Sequence, residues 1–88
     1  MIETQGVRFD YEAEAELFGG IATRQGRRPL GYWRFARAAE AIRFAVEELA
    51  PHLLLGSCLE VAGARFDSHA IRRLYDSGDY PLIRPAAT

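Results

Sequence analysis

The chain of 88 residues has no lysine, one cysteine and two histidines. It also lacks any apolar run near the roughly 20 residues that span a bilayer as a helix. Each shortage excludes something. Cys58 alone cannot form an intrachain disulfide, so a reducing, cytoplasmic setting is the default. Cys58, His52 and His69 are the only soft or imidazole ligands, and no pair has a ligand-like spacing such as Cys-x-x-Cys or His-x-x-x-His. A metal site is therefore not expected. The glycines form neither a P-loop nor a dinucleotide-binding fingerprint, so no cofactor is expected either. All eleven basic residues are arginine. With abundant Ala and Gly beside them, this reads first as gene base composition and second as a surface suited to bidentate carboxylate or phosphate contacts.

What the chain does contain is half hydrophobic, at 49 %, with a formal net charge of −1 that is unevenly spread. Residues 1–16 hold five acids and one arginine, whereas residues 17–46 hold six arginines and only Glu40 as an acid. That composition is too apolar for disorder and the length fits a single domain. We place its limits at residues 1–83, with 84–88 as a disordered tail.

The clearest periodic stretch is RAAEAIRFAVEELA, residues 37–50. At about 100° per residue, Ala38, Ile42, Ala45 and Leu49 fall together, and Arg43, Glu47 and Glu40 face away. This predicts the central helix, ended by Pro51. Its entrance lacks Ser, Thr, Asp or Asn, so a frayed start is expected. Phe44 lies outside the apolar stripe, as a residue covered by a neighbouring segment or as a contact for a partner.

Around that helix, alternation predicts strands at 7–11, 30–35 and 57–61. Trp33, Phe35, Leu59 and Val61 would point inward, and Tyr32, Arg34, Cys58 and Glu60 outward. Residues 12–18 fit helix or strand equally well. Gly19-Gly20 reads as a turn and residues 24–29 as a polar loop. A hairpin turn at 62–64 is followed by a short strand, and Asp67 or Ser68 caps a second helix reaching Asp76. Gly78 offers a left-handed stop to that helix. The sum is an α+β fold: a small two-layer domain with an antiparallel or mixed sheet of three to four strands and one long and one short helix on one face.

Several of these segments carry a resemblance. AEAIRFAVEEL, LEV, RFD and LYDSGDYPL, spread over residues 34–82, resemble a group of short single-domain bacterial proteins to which no activity is attached. The resemblance implies no cofactor and no site. Members would be expected to have Asp or Thr at the helix entrance, where this chain has Ala36-Arg37.

No catalytic residue emerges. Ser57, Cys58 and His69 are available for nucleophilic chemistry but form no motif. The expectation is a small non-enzymatic interaction or regulatory module, self-associating or bound to another protein through Phe44, Tyr32, Arg27 and Arg28. The alternative is a nucleic-acid binder using Arg24, Arg27, Arg28 and Arg34 beside exposed aromatics. Against it, Glu12, Glu14 and Glu16 are expected close enough to neutralise the arginines.

Overall fold

Two strands much longer than the rest set the architecture. In the computed structural model, which describes residues 9–85 and omits the side chains of Ala22 and Arg27, β1 (Ala15–Thr23) and β2 (Gly26–Phe35) form an antiparallel hairpin. Beyond it lie β3 (Cys58–Val61) and β4 (Ala64–Asp67), giving a four-stranded antiparallel sheet in the order β2-β1-β3-β4. The helices are α1 (Ala38–Arg43), which runs on into a π-helical turn at Phe44–Glu48, then α2 (Pro51–Leu55) and α3 (Ser68–Asp76). The α+β reading of the sequence holds.

The core lies between one face of the sheet and the helices. Ala15, Leu17, Leu59 and Val61 from the sheet meet Ala38, Ala41, Ile42 and Ala45 from the central helix and Ile71 and Tyr75 from α3. All four residues of the predicted helical stripe are buried. Its alanines bring the helix backbone close to the sheet, and Ile42 is its largest fully buried side chain, worth about 1.5–3 kcal/mol. Inward Trp33 and Phe35 and outward Tyr32 and Arg34 follow the predicted alternation.

The helix entrance is better held than its sequence suggests. No side chain caps it. Instead the backbone N–H groups of Ala38 and Ala39 donate to the carbonyls of Ala13 and Tyr11, at 2.7 and 2.9 Å. Donors that a Ser or Asp would ordinarily satisfy are met by main chain from the N-terminal segment. At the other end, the Leu49 N–H reaches the Phe44 carbonyl at 3.0 Å, the wider π-type bond, and Leu49 then leaves in an extended conformation. The helix therefore stops before Pro51. The proline instead opens α2 at its first position, where its missing N–H costs nothing.

Four local expectations need correction. Phe9 and Tyr11 do not belong to a strand: the Glu12 N–H donates to the Asp10 carboxylate at 2.9 Å and turns the chain. Val7 and Arg8 lie outside the described residues. Gly19-Gly20 is not a turn but an irregularity inside β1, where the register shifts between Phe18 and Gly20. Most of the predicted 24–29 loop is strand, because Thr23 pairs with Gly26 and only Arg24 and Gln25 connect the two. Gly78 does not adopt a left-handed conformation.

The later elements follow their sequence signals. Ala62 and Gly63, at φ 51° and 82°, make the two-residue turn between β3 and β4. Asp67 caps α3 by accepting from the Ala70 N–H at 2.9 Å. Tyr80 is buried, and its hydroxyl donates to the Ala39 carbonyl at 3.2 Å. Arg84, placed in the tail by sequence, donates to the carbonyls of Tyr75 and Ser77.

Candidate interaction surface

The β1–β2 hairpin reaches well past the rest of the sheet. β3 pairs only with residues 15–18 of β1, whereas β2 follows β1 to Thr23. About five residues of two-stranded ribbon, roughly 16 Å at 3.3 Å per residue, thus extend beyond the third strand. Two close approaches hold this arm. The Trp33 indole lies against Gly31, where a Cβ would sit 2.5 Å from the ring and where φ is +114°. Gly56, following α2, rests on the Gly20 backbone, where a Cβ would again come within 2.5 Å. A side chain at Gly31 would displace the Trp33 ring, and one at Gly56 would push the segment after α2 off β1.

Among the described residues β2 is also an edge strand, with β1 as its one neighbour in the sheet. Pro29 lies in it, in keeping with the rule that proline within a sheet is confined to edges. Leu30 and Tyr32 are 41 % and 50 % exposed along it. The Tyr32 ring leans on Phe18 with centroids 5.1 Å apart, and its hydroxyl donates to Glu16 at 2.7 Å. That hydrogen bond is the main reason its pKa is raised. Leu30 was not singled out from sequence as a contact. The signal available was its alternation with Tyr32 beside an edge-marking proline.

Phe44 proves to be half-buried. It packs against Trp33 and Phe35, at centroid distances of 5.0 and 5.6 Å. The inward aromatics of β2 reach over the flank of the helix and cover the residue that its own stripe leaves out. Phe44 thus supports β2 from beneath rather than standing exposed as an anchor.

The arginines divide into two groups. Arg24 and Arg28 are exposed on the arm and make no ion pair among the described residues. Arg27 shares that ribbon, and its side chain lies outside the described residues. Arg34 lies at the base instead, opposite Glu16 in the register and 3.8 Å from Glu14. About 20 Å of strand separates it from Arg28.

The acids expected beside the arginine loop are likewise at the base. Glu12 accepts from Arg37 at 2.8 and 3.2 Å, which lowers its pKa and raises that of the arginine. Arg37 also reaches Glu40 at 3.4 Å. Glu16 and Glu60 sit opposite one another on the open sheet face, flanked by Arg34 and Arg65. Arg65 donates to Glu60 at 2.7 Å, and this hydrogen bond raises its pKa. A row reading Arg, Glu, Glu, Arg across four strands offsets the like-charge pair at its centre.

The depression beside Cys58 is lined by Ser57, Arg65, Asp67 and Arg73 among others, and His69 does not line it. The Ser57 hydroxyl is engaged with the Leu54 carbonyl at 2.7 Å. Among the described residues, no three His, Cys, Asp or Glu side chains are placed to share a metal ion, and no helix is long and apolar enough to cross a membrane. The fold is that of a small α+β domain with a projecting hairpin. No family model matches the chain, and neither a curated protein nor a solved structure matches it.

Proposed function

We propose that this chain is a small interaction module that self-associates by strand addition along the outer edge of β2. The observation that carries the reading is a ten-residue edge strand that presents Leu30 and Tyr32. Such an edge offers unpaired backbone donors and acceptors, and a second copy running antiparallel satisfies both sets at once through a two-fold axis. Tyr32 supplies apolar contact, Arg27 and Arg28 set charge along the strand, and Phe44 keeps Trp33 and hence β2 in place. A reducing, cytoplasmic compartment accords with the single Cys58.

Light scattering over a dilution series tests this. The wild-type chain is expected at twice its monomer mass, dissociating on dilution. Leu30→Lys, which places a charge on the edge in the manner of natural protected edges, is expected to remain monomeric. A wild-type monomer at every concentration, or a Leu30→Lys dimer of wild-type affinity, overturns the proposal.

A further inference from the structure

We infer that the β1–β2 arm is a contact for duplex DNA, with Arg24, Arg27 and Arg28 engaging backbone phosphates without regard to sequence. The inference concerns the end of the hairpin and stands whether or not its edge pairs with a second copy.

Its basis is the separation of charge in the fold. Residues 17–39 contain five arginines and no acid. Two of the five, Arg34 and Arg37, are engaged with acids at the base. The other three fall on the arm. Glu16, the nearest acid along β1, is seven residues from Thr23, about 23 Å of extended strand. With a Debye length of about 8 Å at physiological ionic strength, that carboxylate is screened from the tip. Among the described residues, α2 and Gly56 pack beside the arm and bring His52 and no acid. A nearly neutral protein therefore presents a cationic projection.

Shape and side-chain chemistry favour nucleic acid among polyanions. Two strands lie about 5 Å apart, and such a ribbon enters a B-DNA major groove about 12 Å wide. The guanidinium fork matches phosphate oxygens in bidentate geometry. The tip sequence Thr23-Arg24-Gln25-Gly26 has no bulky apolar side chain, whereas surface binding to a bilayer requires an apolar face that enters the headgroup boundary.

The test is fluorescence anisotropy of a labelled mixed-sequence DNA duplex titrated with the full chain. Three phosphate contacts predict that affinity falls about 40-fold between about 50 and about 200 mM salt. The double variant Arg24→Ala/Arg28→Ala should bind more weakly and retain only about a third of that logarithmic salt slope. Arg24→Lys/Arg28→Lys should keep the slope, and Arg73→Ala on α3 should change neither affinity nor slope. Absence of duplex binding at low salt, a slope unchanged in the double alanine variant, or a slope reduced equally by Arg73→Ala overturns the inference. So does binding to polyglutamate or to anionic vesicles as tight as binding to the duplex, since either would point to an acidic protein or a lipid surface.

Discussion

The two ends of this molecule are built on opposite terms. At one end, aromatic rings from distant parts of the chain lock together. Tyr11, Tyr75 and Tyr80 pack edge-on or tilted, with Tyr11–Tyr80 and Tyr75–Tyr80 centroids 5.8 and 5.1 Å apart. Each hydroxyl has a partner: Tyr11 donates to the Leu74 carbonyl at 2.8 Å, Tyr80 to that of Ala39, and Tyr75 to Glu47 at 2.6 Å. Arg84 lies over the rings of Tyr75 and Tyr80. At the other end, a two-stranded ribbon carries Arg24 and Arg28, exposed and without an ion pair among the described residues. One end unites the N-terminal segment, the central helix, α3 and the chain's last described residues. The other leaves backbone and charge available for a partner. In a domain this small, the area buried at the tyrosine end must help support the end that is exposed.

Substitutions that act on one end or on the layer joining them separate these roles. The largest loss is expected from Ile42→Ala, in the joining layer: about 2–5 kcal/mol by chemical denaturation, because the fully buried side chain leaves a cavity between helix and sheet. A loss below about 1 kcal/mol would mean that the helix does not carry the core as described. Gly31→Ala comes next, at about 1–3 kcal/mol, because the new methyl group meets the Trp33 ring and the backbone is left-handed there. Its signature should be local, with Trp33 fluorescence and β2 amide exchange altered before the tyrosine cluster is disturbed. Uniform loosening of both ends would show that the arm is not a separable unit.

A smaller effect falls on the tyrosine end alone. Burial first, and then the hydrogen bond to Glu47, push the Tyr75 pKa up to about 12. Its folded value therefore exceeds the unfolded value of about 10. The associated stability is fully present below about pH 10 and is lost as pH rises through about 12. Ultraviolet titration should show the raised tyrosines, Tyr32 and Tyr80 among them, ionising above the ordinary range, with the Tyr75 step near pH 12 accompanying alkaline unfolding. Tyr75→Phe should remove the step near pH 12 while leaving Trp33 fluorescence unchanged. Ionisation of all tyrosines near pH 10 in the folded protein would contradict the cluster.

How much of this was legible in the sequence depended on how local the determining contact is. Leu59 and Val61, the Ala62-Gly63 turn and the Asp67 cap each depend on neighbours within a few residues, and each formed as their pattern indicates. The central helix was legible from its stripe because burial of Ala38, Ile42 and Ala45 needs only the helical period, whereas Leu49 is buried just past the π-helical turn. Phe9 and Tyr11 alternate like a strand, yet Tyr11 is held by a hydrogen bond to Leu74, 63 residues away, which no local period encodes. The arginine-rich stretch looked like a loop because Gly26 and Pro29 punctuate it. Both residues are compatible with an edge strand, and the long-range register of β1 with β2 decided the matter. For the interaction surface, Tyr32 was visible from alternation. The cover over Phe44 was not, since it comes from the neighbouring strand rather than from the helix's own period.

The most direct test of the central claim, an uncovered β2 edge that pairs with a second copy, is amide hydrogen exchange resolved by residue across a protein dilution series. The account predicts that β2 amides pointing away from β1 become protected as concentration rises, in step with the increase in mass, while β3 and α1 amides change little. Rapid exchange of those β2 amides at every concentration, or protection that appears first on α3, would contradict it.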